Sequence, residues 1–188
     1  TDRSVIALWA GNTLIDIFIV KDKTQKITTD EQALTLIKYM TENAVVAENI
    51  AIDAVGIGVG VVDHMKSKGI IVKEFVSGAT PVKRKLPNGE MEQSKYDNLR
   101  SQVIWEFALG LEQGRYKIFE GCPFRNEVIS EAMAHLHEIT GKVLSVESKE
   151  KVKERTGSLS PDIFDAVVMG LFPKLKLDPK NDTNRIII

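Results

Sequence analysis

Two stretches of this chain place carboxylates where apolar side chains would be the ordinary choice. In Ile50-Ala51-Ile52-Asp53-Ala54-Val55 a single charge interrupts a run of strand composition. A carboxylate buried there without a partner would be costly, so it belongs at a sheet end, facing a cation, a metal or a helix N-terminus. Its structural alternative is to cap the turn at Gly56. In Ser160-Pro161-Asp162-Ile163-Phe164-Asp165-Ala166 two acids stand three residues apart at the start of a helix, hence on one face. The positive end of a helix dipole accounts for Asp162 by itself. It accounts poorly for Asp165, whose neighbours Phe164, Val167, Val168, Leu171 and Phe172 are apolar. Asp53, Asp162 and Asp165 together would suit a hard cation, and oxygen ligands alone favour Mg²⁺ or Mn²⁺ over zinc.

Other chemistries fit less well. Gly56-Ile57-Gly58-Val59-Gly60 follows a strand, but Val61 stands where a dinucleotide fingerprint needs its third glycine. Thr80 or Pro81 occupies the place of the expected acid, and no Walker A lysine follows. These glycines read as a tight turn that lets the next helix approach the sheet. His64, His135 and His137 have no ligand spacing, and no Ser-His-Asp or Cys-His set assembles. Cys122 is the only cysteine and cannot form an internal disulfide. The net charge of −1, from 25 basic and 26 acidic residues, gives no global attraction to nucleic acid. Two local basic groups could supply it: Lys83, Arg84 and Lys85, and the run Lys149, Lys151, Lys153 and Arg155. The second alternates with Glu150 and Glu154, as a solvated face also would.

The elements that must carry these residues follow from pattern. At 188 residues and 43% hydrophobic content, the chain can bury one sizeable core. Residues 3–10 and 13–21 read as a hairpin around Gly11-Asn12, and Thr28 or Thr29 caps a helix to about Asn43 with Leu34, Ile37 and Met40 inward. A strand at 49–55, a glycine turn, a helix to about Gly69 and a strand at 70–76 follow. Residues 77–95 are a polar excursion. Helices are expected over 96–113, with Leu99, Val103, Phe107 and Leu111 on one face, and over 123–139. A strand over 142–147, a lysine-rich turn and a last helix opened by Ser160 as N-cap and Pro161 at its first position complete the order. The fold class is α/β, a mixed central sheet flanked by helices. Residues 1–175 form the domain and 176–188 a tail. A sheet that starts mid-hairpin is odd, and a further strand is expected before Thr1. No apolar run approaches the ~20 residues that span a bilayer and no leader opens the chain, which points to the cytoplasm.

Three segments in order resemble the C-terminal nuclease domain of phage large terminase subunits. They are Ile52 through Asp63, Tyr96-Asp97-Asn98-Leu99-Arg100 with Trp105, and Lys149 through Arg155 followed by Ser158-Leu159-Ser160-Pro161-Asp162-Ile163-Phe164-Asp165-Ala166. The resemblance implies an RNase H-like fold and two-metal hydrolysis of double-stranded DNA concatemers during genome packaging in the host cytoplasm. It carries over Asp53 and Asp162 as catalytic, metal-holding carboxylates, with Asp165 as an alternative or a partner of the ligand. Arg84, Lys85, Lys149, Lys153 and Arg155 become DNA contacts. In the whole protein it implies an ATPase motor domain, a small terminase subunit and a portal as partners. The family's first catalytic Asp lies a few residues before a segment like Asp2-Arg3-Ser4-Val5-Ile6, so weak or no cleavage is expected of this chain. Two rival classes remain: another RNase H-like nuclease or resolvase, and a non-catalytic DNA-binding assembly module in which the acids are caps.

Overall fold

The computed structural model describes residues 3–21, 24–84, 95–157, 160–175 and 186–187. Strands β1 (Ser4–Ala10) and β2 (Thr13–Lys21) form the hairpin, antiparallel from Ser4↔Lys21 to Ala10↔Thr13. Helix α1 (Thr29–Glu42) starts on a capping box: the Thr28 hydroxyl accepts from Glu31 N–H while the Glu31 carboxylate accepts from Thr28 N–H. Its buried residues are Gln32, Ala33 and Leu36; of the expected stripe, Ile37 and Met40 pack partly buried against the core, whereas Leu34 is half exposed. Next come β3 (Ala51–Asp53), α2 (Ile57–Ser67) and β4 (Lys73–Phe75), a parallel β–α–β unit. Gly58 and Gly60 lie inside the first turns of α2 rather than in a preceding loop.

Of the excursion, the described part is pinned down. Val82 exchanges two hydrogen bonds with the fully buried Gln102 amide, its N–H donating and its carbonyl accepting. Helix α3 (Leu99–Glu112) follows, capped by Asn98. Leu99, Val103 and Phe107 are buried as expected, whereas Leu111 is 38% exposed. The short β5 (Lys117–Ile118), not foreseen from the sequence, pairs parallel with β2.

The expected helix over 123–139 is the largest correction. Helix α4 spans only Arg125–Met133, after which β6 (His137–Thr140) and β7 (Val143–Val146) make a second hairpin. Gly141, at φ +63°, supplies the left-handed turn between Thr140 and Val143. With that turn in place, β-branched Ile139 and Thr140 favour a strand over a last helical turn. Helix α5 (Lys149–Thr156) is capped by Ser148, then α6 (Asp162–Met169) and α7 (Leu171–Leu175) close the core. Within the stretch read as a tail, β8 (Ile186–Ile187) returns to pair antiparallel with Leu8 and Trp9 of β1.

Strands β5-β2-β1-β8 form one sheet and β3-β4 another. The two share their covering layers. Ala7, Trp9 and Ala51 belong to the core against α3, α6 and α7, while Ile6, Leu8 and Ile50 belong to the core against α1 and α2. They behave as halves of one central sheet with a gap between them. Among the described residues neither the outer edge of Ser4–Ala7 nor that of β3 has a strand partner. A cavity of about 910 Å³ fills the gap, lined by Arg3 to Ile6 on one side and Ala51 to Asp53 on the other.

Candidate functional site

One end of this cavity gathers the carboxylates. Asp53 is the last residue of β3, where the strand opens into the slot. Its Oδ1 accepts the Val55 N–H at 3.2 Å, so the turn-capping reading is realised in part. Although the residue surface is open to the slot, surrounding protein thins the water around the carboxyl and raises its pKa. The Val55 N–H and the Lys149 ammonium oppose that shift, and the charge of Asp165 adds to it.

Gly58 positions this strand end. A Cβ built on it would stand 1.7 Å from the Asp53 carbonyl oxygen, so α2 can approach β3 only with glycine there.

Asp162 and Asp165 project from the first turn of α6. The helix starts one residue later than expected: Pro161 is the N-cap, without a side-chain hydrogen bond, and the buried Ser160 Oγ has no partner. Asp162 is deeply set, its side chain 3% exposed. Its Oδ2 accepts the Arg3 N–H at 2.8 Å, while Oδ1 has no hydrogen bond but faces Lys149 Nζ at 2.6 Å. The same ammonium lies 3.7 Å from Asp165 Oδ2. Asp165 is held on its other side by Arg100, whose guanidinium also donates to the Glu147 carbonyl and meets His135 Nε2 at 2.9 Å. Burial and the Arg100 charge lower the His135 pKa, so this ring acts as a neutral acceptor.

The remaining candidates lie elsewhere. Arg84 pairs with the buried Glu106 at 2.9 Å, and Arg155 pairs with Glu147 at 2.6 Å. Lys153 stands half-buried on α5. Lys85 lies outside the described residues. Of the described residues in the basic set, Lys149 alone enters the carboxylate cluster. Sequence reasoning gave no site role to Arg3, Arg100 or Glu131, and it set His135 aside for want of ligand spacing. Arg100 sits in the Tyr96–Arg100 segment, but only the packing of α3 against α6 shows that it reaches Asp165.

The buried Asp162 Oδ1 meets the Lys149 ammonium at 2.6 Å, so this spot already holds positive charge. Among the described residues no three His, Cys, Asp or Glu side chains converge as a ready metal cage.

No family model matches this sequence, and no curated protein is significantly similar to it. Solved structures do share its fold. The nuclease domain of the large terminase subunit gp2 of bacterial virus Sf6 superposes with a TM-score of 0.72 at 16% identity, over 91% of this chain and 82% of that one. A lysine-to-alanine variant of that domain with manganese gives 0.67 at 17% identity, over 88% and 81%, and one with calcium gives 0.71 at 16%, over 90% and 82%. The chain is thus an α/β domain with the RNase H-like fold of a phage terminase nuclease domain.

Proposed function

We propose that this chain is a divalent-metal-dependent nuclease domain that hydrolyses phosphodiesters of double-stranded DNA, as part of a viral packaging terminase. The observation that carries the reading is Asp162: a carboxylate 3% exposed whose Oδ1 faces the Lys149 ammonium at 2.6 Å, lining with Asp165 and Asp53 one and the same slot. The fold supports the same assignment, and the manganese and calcium in the neighbours' structures favour hard cations.

Asp162 and Asp53 would hold Mg²⁺ or Mn²⁺, with Asp165 fixed by Arg100 as their neighbour. When bound, the cation supplies Lewis-acid stabilisation of charge on the phosphoryl oxygens. Lys149, displaced from Asp162, stays close enough to contact a phosphate, and its 28% exposed side chain has room to turn. The paired-cation form of this chemistry needs a further carboxylate beyond those described. A site at the slot between the half-sheets gives that carboxylate a place from which to join. The motor domain, small subunit and portal belong to the same reading as partners of the whole protein.

Supercoiled plasmid incubated with the protein and Mn²⁺, followed by gel electrophoresis, tests this. Nicking or linearisation is expected, however slow, and must disappear in Asp162→Asn. Absence of both cleavage and Mn²⁺ uptake by the wild-type chain would refute the proposal in favour of a non-catalytic DNA-binding module.

A further inference from the structure

Helix α6 carries two of the three candidate carboxylates, yet its N-terminus lacks an ordinary cap. Pro161 offers no side-chain oxygen, and Ser160 Oγ makes no bond. The acceptor comes from another helix. Glu131 of α4 extends its Oε2 to the Phe164 N–H at 2.8 Å, which is the third helical N–H of α6 and a usual capping target. Its Oε1 accepts the Arg3 guanidinium at 2.8 Å. Glu131 and Arg3 are each about one-seventh exposed, at 15%, so this pair is largely withdrawn from water.

Arg3 has two carboxylates within reach. Its NH2 sits on Glu131, while its Nε stays 4.0 Å from Asp162 Oδ2 and, though buried, makes no hydrogen bond. That distance is at the limit of an ion pair. Full contact, at about 2.8 Å, would let the guanidinium compete for the Asp162 carboxylate. Among the described residues, Glu131 is the group in contact with Arg3 that draws it the other way.

We propose that Glu131 is a positioning residue for Asp162: it caps α6 from α4 and holds the Arg3 guanidinium off the Asp162 carboxylate, keeping that carboxylate available to a cation. The inference rests on the metal-dependent reading above for its consequence, but not for its geometry.

Glu131→Gln separates the two jobs, because its amide oxygen can still accept from Phe164 while its neutral head no longer retains Arg3. Mn²⁺ binding is read by electron paramagnetic resonance of the free ion, alongside a thermal melt. The expected result is a melt close to wild type and Mn²⁺ affinity weakened about tenfold, within the usual range for a group that orients a ligand. Adding Arg3→Met to Glu131→Gln should return the affinity to that of Arg3→Met alone. A purely structural role for Glu131 predicts no such rescue. A Glu131→Gln variant that binds Mn²⁺ like wild type, or a loss that persists in the double variant, would overturn the proposal.

The crystal structure of Glu131→Gln reads the same idea without metal. Arg3 should close to about 3 Å from Asp162. A guanidinium still at the present separation would overturn the idea by itself. If the guanidinium closes while the wild-type chain takes up no Mn²⁺, the positioning holds and the metal reading falls.

Discussion

Replacing Lys149 by methionine removes the one ammonium that bridges Asp162 and Asp165 while keeping most of the side chain's apolar length. Breaking a fully buried ion pair by deleting one partner costs about 3–5 kcal/mol, and deleting an exposed one about 0–1 kcal/mol. This pair lies between. Asp162 is 3% exposed but Lys149 is 28%, and the Arg3 N–H remains on Asp162 Oδ2. We take about 2 kcal/mol, which for a domain of this size lowers the melting temperature by about 4–8 °C in metal-free buffer. Manganese should then reverse the order. In the wild-type chain a cation must displace the ammonium; in Lys149→Met it need not, and a tenfold gain in affinity corresponds to about 1.4 kcal/mol. Differential scanning fluorimetry with and without saturating Mn²⁺ measures both effects. The variant should melt below wild type in chelator and gain more from Mn²⁺. Equal melts in chelator and equal Mn²⁺ shifts would refute the idea that Lys149 stands in a cation site.

Three other perturbations test the arrangement. Gly58→Ala puts a methyl group into the Asp53 carbonyl, so β3 or α2 must move; a loss of about 1–3 kcal/mol in urea unfolding and a weaker response to Mn²⁺ are expected. Trp9→Ala should cost about 3–5 kcal/mol by the same measurement, because the ring is fully buried, packs edge-on against Phe107 and Tyr116, and donates to the Val167 carbonyl. His135 has its folded pKa below the unfolded value near 6.5, so the unfolded chain binds the extra proton first. Its contribution to stability is complete above that value and is lost as pH falls through it towards the lower folded pKa. Melting temperature should therefore decline more steeply with acidification below about pH 6.5 in wild type than in His135→Gln; identical profiles would show that folding does not lower the pKa of this ring.

Much of the architecture was legible because it rests on local rules. The first hairpin follows from two apolar runs around Gly11-Asn12, and α1 begins where Thr28 and Glu31 allow a capping box. Asp53 stood out because a charge inside an apolar strand must end at an edge, and it does. The misread stretches had only weak local signals, such as Gly141 and the β-branched Ile139 and Thr140. Residues 134–140 carry helix-compatible composition, and only the cross-strand partner Val143–Val146 draws His137–Thr140 into a hairpin. The two-residue β5 became a strand because β2 offered an edge. Ser160 looked like a cap by its type, but the chain turns so that Pro161 takes the position and Glu131 supplies the acceptor from 33 residues away.

The sequence by itself thus determined the fold class, the order of its main elements and which carboxylates were out of place, since hydrophobic period, caps and a misplaced charge are properties of neighbouring residues. The tertiary structure decided what those carboxylates face. Arg3, Arg100, Glu131 and Lys149 come from four distant segments and meet Asp162, Asp165 or the start of α6 only because the helices pack around a divided sheet. Electrostatic partners act through space at a few ångströms, and no spacing along the chain encodes that distance.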